Sequence, residues 1–131
     1  MNLYAKLQNL KILLIDDDEW IRDSMRLLLA SEACGLVTCE TAEEALDVLH
    51  GQTFDIIIAD YKLPGMNGIA FFERIQAPHP AAVKILISAY LDKAVIADAV
   101  GAGVQKTIEK PFKPETIEAA LIKLLAIDTP D

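Results

Sequence analysis

Four stretches of this chain that read as strands run into side chains able to do chemistry. KILLID (11–16) leads into Asp16, Asp17 and Asp18; FDIIIAD (54–60) ends on Asp60; VKILIS (83–88) ends on Ser88; and the more polar 104–110 ends on Lys110. Carboxylates gathered at close range repel, so at least one is driven toward its protonated form unless a cation joins them. A hard divalent ion is the natural remedy. Mg2+ takes an octahedron of oxygens, commonly from one or two carboxylates, waters and a phosphate. A nucleophilic carboxylate beside Mg2+, a lysine and a hydroxyl suits phosphoryl transfer, in which the cations neutralise charge on the equatorial oxygens. Any single aspartate at a strand end is more often a helix cap or a loop residue. The joint placement of acids after two strands, a serine after another and a lysine before Pro111 carries the reading. Asp18 is expected to cap the following helix; Glu19 and Asp55 read as ordinary loop-edge acids.

The elements that must position these groups alternate in type. Glu19–Ser31 has helical spacing, with Ile21, Met25, Leu28 and Leu29 on one face and Arg22, Asp23 and Arg26 outside. Leu36–Cys39 is a short strand. Thr41 caps a second helix, with Glu44 completing a capping box and Gly51 stopping it. A loop dense in turn residues, LPGMNG (63–68), precedes a short helix over Ile69–Gln76. Asp92 caps a helix running to Gly101, with Val95, Ile96, Ala99 and Val100 on its apolar side. Pro114 opens the last helix, whose stripe is Ile117, Leu121, Leu124 and Leu125. Continuous apolar strands alternating with amphipathic helices predict an α/β fold with a five-stranded parallel sheet covered on both faces by five helices. In such a sheet, ligands bind beyond the carboxyl ends of the strands. If the first and third strands are neighbours, Asp16, Asp17 and Asp60 converge.

Bulk properties narrow the classes further. The chain has 131 residues, 12 basic against 20 acidic side chains and a net charge of −8, with 53% hydrophobic residues. That length is one domain with a full core. The acidity argues against direct nucleic-acid binding or an anionic membrane surface. No apolar run is long enough to span a membrane, and residues 1–10 lack the features of a secretory signal. Cys34 and Cys39 have no partners for a zinc site and read as reduced buried thiols, which places the protein in the cytoplasm. Leu3, Leu7 and Leu10 fall at helical spacing in a lead-in.

The stretches ILLIDDDEWIR (12–22), IIIADYKLPGMNG (56–68), KILISAY (84–90) and IEKPF (108–112) together resemble the receiver domain of two-component response regulators, the family of the chemotaxis response regulator. The resemblance covers 9–126, leaving 1–8 as a lead-in and 127–131 as a tail. It implies the flavodoxin-like, doubly wound sheet order 2-1-3-4-5. It also implies that Asp60 accepts a phosphoryl group from the phosphohistidine of a sensor histidine kinase. Asp17 would bind Mg2+ directly, Asp16 mostly through water, and the Lys62 backbone carbonyl would add an oxygen. Ser88 would be the switch hydroxyl, Lys110 would pair with a phosphoryl oxygen, and the Lys110–Pro111 bond would be cis. The fourth helix, fifth strand and fifth helix would form the output face toward an effector. Ala119, Ile122 and Ala126, off the last helix's core stripe, are either ordinary exposed apolar positions or the contact of that face with a partner or with a homodimer formed on phosphorylation.

One position departs from the family pattern: Thr107 stands where an aromatic residue is usual, so either the switch of the last strand is weaker or carried by other side chains, or Thr107 is a neutral replacement. Lys62 and Tyr90 are expected to overhang the pocket, with Tyr90 shielding the acyl phosphate from water and Lys62 holding an oxygen. Trp20 should report on the site by fluorescence. His50 suits the end of its helix, and neither it nor His79 is placed for chemistry. Two rival readings remain at this point. One is a Mg2+-dependent phosphohydrolase of similar sheet type, which would need room for a substrate among loops that are all short. The other is an unphosphorylated receiver-like binding module.

Overall fold

The structure, a computed structural model, describes residues 10–29 and 35–125. The expectations for Leu3, Leu7, Cys34 and Ala126, and for the tail 127–131, fall outside these residues. Strands β1 (Lys11–Ile15), β2 (Gly35–Cys39), β3 (Ile56–Asp60), β4 (Val83–Ser88) and β5 (Lys106–Glu109) alternate with helices α1 (Glu19–Leu29), α2 (Ala42–Gly51), α3 (Gly68–Ile75), α4 (Lys93–Gly101) and α5 (Pro114–Leu124). All strand pairs are parallel, in the order β2-β1-β3-β4-β5. The doubly wound architecture is therefore the one expected.

Side-chain alternation assigns each strand residue to one of two cores. Leu13, Ile15, Ile57, Ala59 and Leu86 pack under α2, α3 and α4. Ile12, Leu14, Ile56, Ile58, Ile85 and Ile87 pack on the opposite face, under α1 and α5. Burying each of these leucine and isoleucine side chains stabilises the fold by about 1.5–3 kcal/mol. The pairings Ile15↔Ala59 and Asp60↔Ile87 bring the carboxyl ends of β1, β3 and β4 level.

Helix starts follow the cap residues. Thr41 accepts from the Glu44 N–H, Asn67 from Ala70 and Asp92 from Val95. Asp18 caps α1, accepting from the Trp20 N–H at 2.9 Å.

Several expectations change. The third and fifth strands are shorter than expected, because Phe54, Asp55, Val104 and Gln105 lie before the ladder and Lys110 just beyond it. Gly51 ends α2 as a helical residue, and the chain then turns extended at Gln52. On α4 only Val95 and Ala99 are buried; Ile96 and Val100 are 40% and 66% exposed. The helix meets the sheet along a narrow stripe, one residue per turn, so apolar neighbours of that stripe are left outside. On α5, Ala120 joins Ile117 and Leu121 in the core, while Leu124, Leu125 and Ile122 are only partly covered. Arg22, placed outside by its helical position, folds back beneath the site.

Candidate functional site

Strand alternation builds the centre. Continued past Leu14, Ile58 and Ile108, it aims Asp16, Asp60 and Lys110 to the same side of the sheet. Ser88, two residues beyond Leu86, points to the other. Asp16 and Asp60 are buried, and Asp17 is exposed. Oxygens from all three carboxylates lie within 4.8 Å of one another. The Lys110 Nζ sits 2.9 Å from Asp16 Oδ2 and donates to Asp60 Oδ2 at 3.1 Å. One ammonium thus serves two buried carboxylates. The Lys110–Pro111 peptide is cis, and the Lys110 N–H is tied to the Ser88 carbonyl at 2.8 Å.

The charge balance is incomplete. Burial pushes the Asp60 carboxyl above its ordinary range, and Asp16 and more weakly Asp17 push it the same way; the hydrogen bond and charge of Lys110 offset only part. Burial alone would lower the Lys110 ammonium, but its contacts with Asp16 and Asp60 outweigh that and hold it above an ordinary lysine. Asp16 Oδ1 accepts from the Asp18 N–H at 2.9 Å. Asp16 Oδ2 has the Lys110 charge beside it but no donor in hydrogen-bonding alignment, and it is a buried oxygen left without a directed partner. An under-satisfied buried carboxylate oxygen facing two other carboxylates fits a hard cation with oxygen ligands. The spread of the three oxygens is on the order of twice an Mg–O bond of ~2.1 Å.

The remaining predicted residues surround this centre. Ser88 is 2% exposed. Its hydroxyl donates to the Tyr90 carbonyl at 2.7 Å and accepts the Tyr90 N–H at 3.1 Å. It is therefore engaged with the β4–α4 loop rather than with Asp60. Lys62 is exposed two residues after Asp60, and Tyr90 is 63% exposed at the start of the loop. Thr107 is half-buried on β5, paired with Leu86. Trp20 is 76% exposed.

Three residues escaped the sequence reading. Arg22 donates to the Asp16 carbonyl at 2.9 Å; nothing in helical periodicity signals a guanidinium reaching backward. Gly68 lets α3 start against the Asp60 backbone, where a Cβ would meet the Asp60 carbonyl oxygen at 2.3 Å. Lys84, although 3% exposed, donates to the His79 and Ala82 carbonyls, and its burial lowers the ammonium. A lysine inside an otherwise apolar central strand was the available signal.

Comparison with known proteins places this arrangement. The response regulator receiver domain profile matches residues 12–122. The chain belongs to this family. The transcriptional regulatory protein FixJ of Bradyrhizobium diazoefficiens is 30% identical over 110 residues, covering 84% of this chain and 54% of FixJ. The DNA-binding transcriptional regulator NtrC of Escherichia coli K12 is 32% identical over 98 residues, covering 75% of this chain and 21% of NtrC. The receiver thus spans about half or less of these relatives. Among solved structures, the receiver domain of an HD domain-containing protein from Pseudomonas fluorescens Pf-5 superposes with a TM-score of 0.84 at 28% identity, covering 90% of this chain and 95% of that one. A CheY-like receiver from Methanospirillum hungatei JF-1 gives 0.80 at 28%, covering 92% and 99%. The acidic pocket of Asp16, Asp17 and Asp60 fits the phosphorylation site of a two-component receiver, where domains of this family bind Mg2+. Among the described residues no helix is long and apolar enough to cross a membrane.

Proposed function

We propose that this receiver is switched by phosphorylation of Asp60. An oxygen of the Asp60 carboxylate attacks the phosphorus of a sensor kinase's phosphohistidine. The P–N bond breaks, its electron pair returns to the imidazole, and a mixed carboxylic–phosphoric anhydride forms on Asp60. The observation that carries this reading is the Lys110 ammonium shared between Asp60 and Asp16 beside a third carboxylate. Mg2+ would be held by Asp16, Asp17, Asp60 and the Lys62 carbonyl, and would supply neutralisation of the transferring phosphoryl group. Lys110 orients one phosphoryl oxygen by charge. Ser88 leaves the Tyr90 carbonyl and donates to another, which frees the β4–α4 loop and re-biases α4 and β5. Lys62 and Tyr90 stand at the rim, and Thr107 offers the last strand no aromatic lever.

The receiver unit is taken as 9–126, around the matched 12–122, and the cytoplasm is the compartment a histidine-kinase partner implies. The output face is assigned to α4, β5 and α5, toward an effector or a second copy; the exposed Ile96 and Val100 support it. The domain turns over no independent substrate in this reading. Cavities of about 500, 460 and 220 Å³ lie between α2 and α3, along α5, and between α1 and α5. The test is transfer of radiolabel from a phosphorylated kinase. Wild type should be labelled in the presence of Mg2+ and Asp60→Asn should not; equal labelling of the variant would refute the assignment.

A further inference from the structure

Asp16 is held by hydrogen bonds at its N–H, its carbonyl and its Oδ1, while Oδ2 has only the Lys110 charge beside it. Its N–H donates to the Cys39 carbonyl at 3.0 Å. Its Oδ1 accepts from Asp18 at 2.9 Å, and its Oδ2 faces Lys110. Its carbonyl oxygen accepts from Arg22 Nη1 at 2.9 Å. That last bond reaches beyond Asp16. The Asp16 carbonyl belongs to the planar unit that includes the N–H and Cα of Asp17, so whatever orients the carbonyl orients the base of the Asp17 side chain. Asp17 is exposed, and its carboxylate takes its direction from the backbone it stands on.

Arg22 is well suited to hold that plane. It lies in the first turn of α1, its own N–H bonded to the Asp18 carbonyl at 3.1 Å. Its side chain is 11% exposed, and its other terminal nitrogen is braced by Glu40 Oε1 at 3.2 Å, just beyond the end of β2. One planar fork therefore ties α1, the β1–α1 turn and the β2–α2 turn together. A lysine has a single terminal nitrogen on a flexible stem and does not reproduce a two-point brace.

We propose that Arg22 is a positioning residue for cation binding: through the Asp16–Asp17 peptide it sets the approach of the Asp17 carboxylate to Mg2+. This rests on the magnesium site proposed above. The proposal has a sign that distinguishes it from simple charge. Arg22 is a cation near a cation site, so removing it should tighten Mg2+ binding if only Coulomb repulsion matters. If positioning matters, removing it should weaken binding, as loss of the groups that orient metal ligands commonly does by about 10-fold or more.

The experiment is a Mg2+ titration of the full chain, followed by fluorescence of Trp20, its one tryptophan, and by the backbone amide shifts of the 16–18 turn. Wild type should saturate, and Asp17→Asn should abolish the response. Arg22→Met should bind about 10-fold more weakly, and Arg22→Lys, which keeps the charge, should also bind more weakly than wild type. Amide hydrogen exchange at Asp17 and Asp18, measured without Mg2+, should be faster in Arg22→Met. A lowered Tm with Mg2+ affinity unchanged or tightened would mean a merely structural arginine and would overturn the proposal. If wild type and Asp17→Asn respond alike, the magnesium assignment itself fails. The exchange measurement then still shows whether Arg22 holds the turn, and unchanged exchange would overturn that as well.

Discussion

Replacing Gly68 by alanine sets two effects of opposite sign against each other. Gly68 is the first residue of α3, and its φ lies outside the left-handed region that only Gly65 and Gly103 occupy among the described glycines. Helix propensity alone therefore favours alanine by up to about 1 kcal/mol. Space opposes it. The new Cβ would lie 2.3 Å from the Asp60 carbonyl oxygen, 3.0 Å from its carbonyl carbon and 3.0 Å from Leu86 Cδ1. Optimal carbon contacts are about 3.5–4.0 Å, so the overlap exceeds roughly 1 Å against the backbone of a central strand, which has no rotamer to escape into. The Gly68 N–H is also held to the Tyr61 carbonyl at 2.8 Å, so α3 cannot simply lift away. Overpacking of this kind costs about 1–3 kcal/mol. The net expectation is a loss of about 1–2 kcal/mol, with Asp60 itself displaced. Gly51→Ala and Gly101→Ala are matched controls, since both glycines end helices and a Cβ at either meets nothing within 4 Å. Urea unfolding should show Gly68→Ala less stable than wild type and the two controls equal to it or more stable. Phosphoryl uptake should fall only in Gly68→Ala. A Gly68→Ala protein as stable as Gly101→Ala would show that the close approach is relieved at no cost, and the argument would be wrong.

Three further outcomes are expected. Asp60 has a folded pKa raised above its ordinary 3.8, so the folded state holds that proton more tightly. Its contribution is fully present below that ordinary value and is lost as pH rises through the raised one; without Mg2+, Asp60→Asn should be more stable than wild type at neutral pH, and urea midpoints across pH will show it. Saturating Mg2+ should stabilise the wild type, by about 2.7 kcal/mol at a hundred times its Kd, and Asp17→Asn should lose that increment in thermal melts. Tyr90→Ala should shorten the lifetime of phosphorylated Asp60, measured as loss of radiolabel; an unchanged decay would remove Tyr90 from the shielding role.

What could be read in advance follows from how this fold encodes itself. A parallel strand buried on both faces is apolar at nearly every position, Lys84 in β4 being the interior exception, so β1, β3 and β4 stand out as runs that end on a polar residue at the sheet's edge. Because strand ends in such a sheet lie level, naming Asp16, Asp60, Ser88 and Lys110 as chain-distant neighbours needed only the strand order. The misses have the opposite character. Ile96 and Val100 are apolar and at helical spacing, but their burial depends on how wide a stripe α4 lays on the sheet, which no local pattern contains. Gly68 looks like any turn glycine until the distance to the Asp60 backbone is known. Arg22 sits on the outer side of its helix by angle, and only the reach of its side chain brings it beneath the site.

The charge arrangement also explains why phosphorylation should be felt beyond the pocket. Lys110 faces Asp16 and Asp60 at 2.9 and 3.1 Å, and in a buried setting a single ammonium cannot fully compensate both. Phosphorylating Asp60 as proposed would replace one carboxylate charge with an acyl phosphate carrying more, so Lys110 would be drawn toward the new oxygens and away from Asp16. Lys110 cannot move alone, because its backbone N–H is bonded to the Ser88 carbonyl. Ser88 in turn holds the Tyr90 carbonyl through its hydroxyl, and the phosphoryl oxygens compete for that same proton. Two pulls therefore converge on the end of β4, one through the lysine backbone and one through the serine hydroxyl. The element that follows is the loop leading to α4, where Tyr90, Ile96 and Val100 are already exposed. Without an aromatic at Thr107 to carry the motion along β5, that loop is the route the remaining contacts favour.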